Sequence, residues 1–328
     1  MQPKLRSHHR VGLALSGGTL KATAHIGVLS ALHKLGIYPD CVAGTSAGAL
    51  VAALYAHGYT PEELLTLIRR FPGPSLFDYG FPFASSIYNA LWYRFTNAAD
   101  REKMRVPAGL MRGKKLYRYF QRMFKERTPD MPYYVIATDL VTGQPVTYSN
   151  DPLVLESGLA DPIVDVARCV RGSCALPGML TPEKIGSRVL VDGAFRHYVP
   201  VETLRQAGCE KIIAVNLYSL QKHWHPKTLV HVLARSYDIL LQESVEADIK
   251  EPNIVVIEPD VSHLSWVSFR DMVSGVTAGR DAVLNNADRI VRVIRDGVTK
   301  PGGHANQIKG GIVVRFQSGN KKPPDVRG

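Results

Sequence analysis

Two short stretches decide how this chain folds: Gly12-Leu-Ala-Leu-Ser16-Gly17-Gly18-Thr19 and Val42-Ala-Gly44-Thr45-Ser46-Ala47-Gly48. Each follows or contains a brief apolar run, turns through small residues and opens a helix-forming stretch. Val11 to Leu15 reads as a short buried strand, and Thr23 to Leu35 as an apolar helix ended at Gly36. Cys41 to Ala43 is the end of a second strand, and Ala47 to His57 a second helix stopped by Gly58. A third helix runs from Pro61 to Arg70, with Thr60 as its cap and Pro61 in its first turn. Strand and helix alternating through short turns is the βαβ rhythm. It predicts a three-layer α/β/α fold around a mainly parallel sheet.

The rhythm breaks between Phe71 and Gly109. Phe71, Phe77, Tyr79, Phe81, Phe83, Tyr88, Trp92, Tyr93 and Phe95 lie there among prolines and glycines. Aromatics in an irregular segment suit a lid or membrane-facing rim, and equally suit packing over a sheet edge. Further on, Lys114 to Phe124 reads as an amphipathic helix, Tyr133 to Asp139 as a strand, and Thr142 to Tyr148 as its hairpin partner turning at Gly143. Pro162 to Cys169 reads as a helix and Arg188 to Val191 as a strand ending at Asp192-Gly193. Ile212 to Leu217 and Ile254 to Glu258 are core strands separated by a helical stretch, His231 to Asp248. Arg280 to Arg295 reads as a closing helix, and Ile312 to Phe316 as an edge strand. The expected organisation is a basic extension over 1–10, one domain over 11–300 and a Gly/Lys-rich tail over 301–328.

The 328 residues carry 40 Lys plus Arg against 29 Asp plus Glu, a net charge of +11. That excess favours an anionic partner, and it gathers at Lys4, Arg6 and Arg10, at Arg112, Lys114, Lys115 and Arg118, and at Lys321 and Lys322. Aromatics do not interleave with the basic residues in any nucleic-acid module pattern, so no nucleic-acid partner is expected. An anionic phospholipid surface, met peripherally, is the alternative. Cys41, Cys169, Cys174 and Cys209 form no CxxC pair and no metal-ligand spacing, which suits a reducing compartment and buried apolar roles. With no signal-peptide core and no run of 18 apolar residues, a cytoplasmic protein is expected. No heptad marks an oligomeric interface.

Gly44-Thr45-Ser46-Ala47-Gly48 matches GxSxG with a strand before it and a helix after it, the setting that exposes a serine nucleophile above a sheet. Glycines flanking the turn avoid Cβ clashes, and the helix amino terminus sets unpaired N–H groups and a positive dipole beneath developing negative charge. The bland reading is a capping serine at a tight turn. A nucleophilic serine needs a base. His57 ends the helix that Ser46 starts, about 16 Å away by helical rise, which excludes it. His197 and His263 are not excluded by spacing. Asp192, at the carboxyl end of a strand and followed by Gly193, sits where functional groups collect in open parallel sheets; it is either the partner of Ser46 or a structural turn aspartate. Ser16-Gly17-Gly18-Thr19 opens another helix, and its successive N–H groups form a nest for an oxyanion or phosphate with Lys21 nearby. It lacks both nucleotide-binding fingerprints.

These elements in this order resemble the patatin-like phospholipases, bacterial members in particular. The resemblance rests on Gly12 to Ala22 through His25-Ile-Gly-Val-Leu29, on Gly44 to Gly48, on Asp192-Gly193-Ala194, and on Gly172-Ser-Cys-Ala-Leu-Pro177-Gly178. It implies a serine lipid acyl hydrolase with Ser46 as nucleophile, Asp192 as its partner, and neither catalytic histidine, metal nor cofactor. The substrate it implies is a fatty-acyl ester of a phospholipid or lysophospholipid. The family's oxyanion loop falls on Gly17, Gly18, Thr19, Leu20, Lys21 and Ala22, with Thr19 and Ala22 in place of glycines and Lys21 in place of arginine. Thr19 is the most serious departure, because a β-branched residue resists positive φ. Two other readings stay open: a weak or inactive lipid-binding scaffold, and an esterase or thioesterase acting on soluble acyl substrates.

Overall fold

The computed structural model describes residues 10–79, 109–218, 225, 229–249, 254–264, 269–296, 305–308 and 311–317. Its strands are β1 (Val11–Leu15), β2 (Cys41–Thr45), β3 (Tyr133–Asp139), β4 (Pro145–Ser149), β5 (Asp161–Pro162), β6 (Glu183–Ile185), β7 (Arg188–Asp192), β8 (Lys211–Val215), β9 (Ile254–Glu258), β10 (Ala305–Ile308) and β11 (Gly311–Gln317). They form one sheet in the order β10-β11-β9-β8-β1-β2-β3-β4-β5, with β7 against β3 and β6 against β7. From β11 to β3 every neighbouring pair is parallel. The helices are α1 (Thr23–Lys34), α2 (Ala47–Ala56), α3 (Pro61–Arg69), α4 (Lys114–Phe124), α5 (Pro152–Glu156), α6 (Val166–Ser173), α7 (Val201–Gln206), α8 (Leu229–Asp248), α9 (Met272–Leu284) and α10 (Ala287–Asp296).

Strands β1, β2 and β3 are buried at every position. Their side chains alternate between two cores, as the pleat requires. Leu13, Leu15, Val42 and Val135 pack with α1, α2, α4, α6, α9 and α10, whereas Ala14, Ala43, Tyr134 and Ile136 pack with α7 and α8. The fold is therefore the α/β/α sandwich that the βαβ rhythm implies. Helix α1 opens directly after the glycine loop, and its position is set by α9. A Cβ on Gly27 would lie 1.9 Å from the Val276 carbonyl oxygen, and one on Gly279 1.9 Å from that of Ala24. Only hydrogen fits between these two backbones.

Three expectations are corrected. Asp161–Pro162 pairs with β4, and the helix expected from Pro162 starts at Val166, where the Asp165 carboxylate accepts the Arg168 N–H at 3.1 Å. The helix read over 280–295 is two, α9 and α10, broken at Asn285-Asn286, where the Asn286 amide donates to the Ala282 carbonyl at 3.0 Å. The run at Ile312 is no edge strand: β11 lies between β9 and β10, so the stretch after 301 contributes to the sheet as well as to a tail. Most of the aromatic segment, residues 80–108, lies outside the described residues, as do Lys4, Arg6, Lys321 and Lys322.

Arg10 is not a free basic residue. It donates to the Asp151 carboxylate at 2.8 Å and to the Ala207 carbonyl at 2.5 Å, tying the entry of β1 to the opposite core. The cysteines are not all scattered. Cys41, the first residue of β2, and Cys209, in the turn that leads from α7 into β8, bring their sulfurs within 3.1 Å in the buried core. Gly12 makes the room, since a Cβ there would lie 2.9 Å from Cys209 Sγ.

Candidate active site

Ser46 stands between β2 and α2 with φ 54° and ψ −127°, a conformation that L residues rarely adopt. The turn's unusual dihedral thus falls on the serine itself. The flanking glycines supply clearance instead: a Cβ on Gly44 would meet the Gly48 carbonyl oxygen at 2.4 Å, and one on Gly48 the Ser16 carbonyl oxygen at 2.4 Å. Thr45 donates its hydroxyl to the His197 carbonyl at 2.8 Å, anchoring the turn from behind. The Ser46 N–H donates to Ser173 Oγ at 2.8 Å, and Ser173 in turn donates to the Ile136 carbonyl. Ala47, the first residue of α2, lines the cavity below together with Ser46.

Ser46 Oγ donates to Asp192 Oδ2 at 2.7 Å. The second carboxylate oxygen, Oδ1, accepts the Ala194 N–H at 2.9 Å, and the Asp192 N–H is held by the Ala175 carbonyl at 3.0 Å. Both side chains are buried. Burial pushes the Asp192 carboxyl up to about 6, against the opposing pull of its bonds from Ser46 and Ala194. A Cβ on Gly193 would lie 2.3 Å from the Ile136 carbonyl oxygen, so glycine is what lets this turn pack on β3.

Neither remaining histidine serves Ser46. His197 Nδ1 contacts Asp248 Oδ1 at 3.1 Å, and His263 Nε2 contacts Ser274 Oγ at 2.7 Å. A third histidine, unmarked by sequence spacing, does support the site. His25 is fully buried, its pKa is lowered to about 4 by burial, and its Nε2–H donates to the Ser16 carbonyl at 2.9 Å. It therefore holds the glycine loop as a neutral imidazole. Ser173 was legible only as a small residue ahead of a proline.

In the glycine loop the Gly17 N–H is engaged by the Tyr198 carbonyl at 3.1 Å, so of the successive N–H groups expected to form an open nest this one is already taken. Gly17 instead packs beside the serine: a Cβ on it would sit 3.6 Å from Ser46 Cβ. The amides of Gly18 and Thr19 have no backbone acceptor among the described residues. Thr19 adopts φ 49° despite its branched side chain. Ala22, by contrast, has φ −59° and ψ −13°, where alanine is as good as glycine. Lys21 closes the loop through its N–H to the Gly18 carbonyl at 2.9 Å; burial lowers its ammonium pKa, and Asp238 opposes the shift. Thr19→Gly is expected to leave the fold intact and to raise stability by up to about 1 kcal/mol, since a β-branched residue is relieved of a left-handed backbone. Thermal melting checks it, and a marked drop in midpoint would show that the Thr19 hydroxyl, which donates to the Gly18 carbonyl at 2.7 Å, outweighs the strain.

The sequence profile described as patatin-like phospholipase matches residues 13–205, which includes the glycine loop, the serine turn and Asp192. The chain belongs to the patatin-like phospholipase family. It is 31% identical over 209 residues to the uncharacterized protein YqhO of Bacillus subtilis, covering 62% of this chain and 69% of that protein. It is 27% identical over 227 residues to a patatin-like phospholipase domain-containing protein of Caenorhabditis elegans, covering 67% of this chain and 14% of that protein. An uncharacterized NTE family protein of Mycobacterium bovis is 25% identical over 301 residues, 83% of this chain and 45% of its own length. The chain thus spans less than half of the nematode and mycobacterial relatives. The crystal structure of VipD from Legionella pneumophila matches with a TM-score of 0.44 at 15% identity, over 88% of this chain and 67% of that one.

Below the serine lies a cavity of about 400 Å³. Its walls come from α1, α2, α3 and α4, from Leu110 and Met111, from Leu176, Met179 and Leu180, and from Met272 of α9, and they are almost wholly apolar; Phe71, Phe77 and Tyr79 from the aromatic segment join them. Cys174 lines it too, its thiol pushed up by burial, beside Ser46 and Asp192. For a patatin-like phospholipase this places apolar volume directly against the hydroxyl–carboxylate pair.

Proposed function

We propose that this protein is a serine acyl hydrolase of fatty-acyl esters, with phospholipids or lysophospholipids as its substrate class. The observation that carries the reading is the 2.7 Å bond from Ser46 Oγ to a buried Asp192 at the head of an apolar cavity. Ser46 Oγ attacks the ester carbonyl carbon while its proton passes to Asp192 Oδ2. The amides of Gly18 and Thr19 stabilise the oxyanion of the tetrahedral state, a contribution of a few kcal/mol for each well-placed donor. Collapse breaks the bond to the alcohol, which leaves with the proton from Asp192, and the acyl group stays on Ser46. Water then attacks the acyl-serine, giving its proton to Asp192, and the second collapse releases the fatty acid and returns the proton to Ser46. Holding Asp192 Oδ1 through Ala194 keeps the carboxylate oriented in both halves. The test is hydrolysis of p-nitrophenyl esters and of phospholipids, abolished by Ser46→Ala; no turnover by the natural chain on any ester would leave the scaffold reading in its place. Preference for acyl thioesters would move the substrate class.

Asp192 works as a base only when ionised. Its carboxyl titrates near 6, so kcat/KM on a short ester is expected to rise with pH through about 6 and to level above it. A profile that is flat from about pH 4.5 to 8 would remove Asp192 from this role.

Peripheral contact with anionic lipid is part of the proposal. Lys114, Lys115, Arg118, Arg122 and Lys125 are exposed on α4 and at its end. They fall within a sector of about 100°, while Leu116, Tyr119, Phe120 and Met123 of the same helix line the cavity. Each cation near an anionic surface contributes about 1 kcal/mol. Reversing Arg118, Arg122 and Lys125 to Glu together is expected to lower flotation with phosphatidylglycerol vesicles at least about tenfold and to leave turnover of a soluble short ester unchanged. Equal recovery with neutral vesicles would make the charge a solubility device.

A further inference from the structure

The cavity runs along α2. Ala47, Leu50, Val51 and Leu54 line it from α2 at the spacing i, i+3, i+4, i+7, a single stripe parallel to the helix axis. Ser46 heads that stripe. At 1.5 Å of rise per residue, Leu54 lies about 12 Å beyond the serine. The far end is where the α2–α3 hairpin turns. Leu64, in the first turns of α3, lines the cavity there and is 2% exposed. Helix α4 reaches the same end, because Tyr59 in the hairpin loop donates its hydroxyl to the Met123 carbonyl at 2.7 Å, and His57 packs on Phe124 with ring centroids 5.0 Å apart.

We infer that Leu54, Leu64 and Met123 are the floor of an acyl chamber and set the length of chain that Ser46 accepts, at about ten carbons. An extended chain advances about 1.2 Å per bond, as the three bonds of a residue spanning about 3.6 Å show, so the 12 Å to Leu54 admits about ten carbons. This rests on the acyl hydrolase reading, but it is read independently through binding. Each methylene that enters an apolar wall gains about 0.8 kcal/mol, or about fourfold in affinity; a methylene beyond the floor gains nothing and forces a bend. The floor residues therefore appear as a break in a chain-length series.

The experiment titrates saturated fatty acids of six to sixteen carbons into the Ser46→Ala protein by calorimetry, alongside Ser46→Ala combined with Met123→Trp or Met123→Ala. Met123 is only half-buried, so these changes burden the fold less than changes at Leu54, and a thermal melt verifies each variant. Affinity is expected to climb about fourfold per carbon to about ten carbons and then stop. Met123→Trp moves the break shorter by about two carbons, and Met123→Ala moves it longer. Hydrolysis of p-nitrophenyl esters by the protein with Ser46 intact should break at the same lengths. Affinity independent of chain length, or a break that both Met123 variants leave in place, overturns the inference while leaving catalysis by Ser46 untouched. A movable break in binding with no turnover of any ester supports the chamber and overturns the hydrolase reading.

Discussion

Replacing Asp192 by Asn is expected to lower ester turnover at least about a thousandfold while making the protein more stable at neutral pH. The loss follows from the chemistry. Asparagine keeps an acceptor for the Ala194 N–H, but its amide cannot take the proton that Ser46 must lose. The gain in stability follows from titration. In the unfolded chain this carboxyl has its ordinary value of 3.8, and burial raises it in the fold to about 6. The folded protein thus keeps a proton that the unfolded chain has already released, and this group's contribution to stability falls as pH rises from about 4 to 6. Above that window the buried carboxylate is a net burden on the order of 3 kcal/mol, which an uncharged amide removes. Thermal melts at pH 4 and pH 7.5 separate the effects: the advantage of Asp192→Asn should be present at 7.5 and shrink toward pH 4. A variant that is inactive but less stable at both would mean that Asp192 is chiefly a structural turn residue.

Gly279→Ala is expected to destabilise the fold by about 3 kcal/mol or more. The added carbon would lie 1.9 Å from the Ala24 carbonyl oxygen, a backbone atom that moves only if α1 or α9 moves. For a domain of this size that corresponds to a fall in melting temperature on the order of 10 °C. Gly275→Ala, one turn earlier, meets the rotatable Thr23 hydroxyl at 2.2 Å and should cost less. Since α1 opens immediately after the glycine loop, what remains folded in Gly279→Ala should also lose ester turnover. An equal, small effect of both substitutions would show that the two helices part easily.

Much of this was legible because strands of a covered parallel sheet are short, mostly apolar and bounded by small or polar residues. Val11–Leu15 and Ile254–Glu258 could be delimited on that basis, and the strong amphipathic spacing delimited Lys114–Phe124. Pro162 misled because a proline opens strands and helices alike, whereas the cap that mattered was Asp165. The start of α9 was missed because Gly275 and Gly279 lower local helix propensity; their value is contact with α1, which no local pattern carries. For the site, the residue types at Ser46 and Asp192 were readable, but their distance was not. Nor was the diversion of the Gly17 amide to Tyr198, or the support of the loop by His25, since both depend on chain segments remote in sequence.

Positive φ at Thr19 and at Ser46, and a carboxylate buried at Asp192, are three places where the folded chain sits uphill of an easily reached alternative. Thr19→Gly, Ser46→Gly and Asp192→Asn each relieve one of them. Laboratory selection for heat resistance alone is therefore expected to drift, through the second and third of these, toward proteins that melt later and have lost ester turnover. A library screened on melting temperature needs turnover as a second axis, and variants lying high on the first and at zero on the second would map the catalytic positions by themselves.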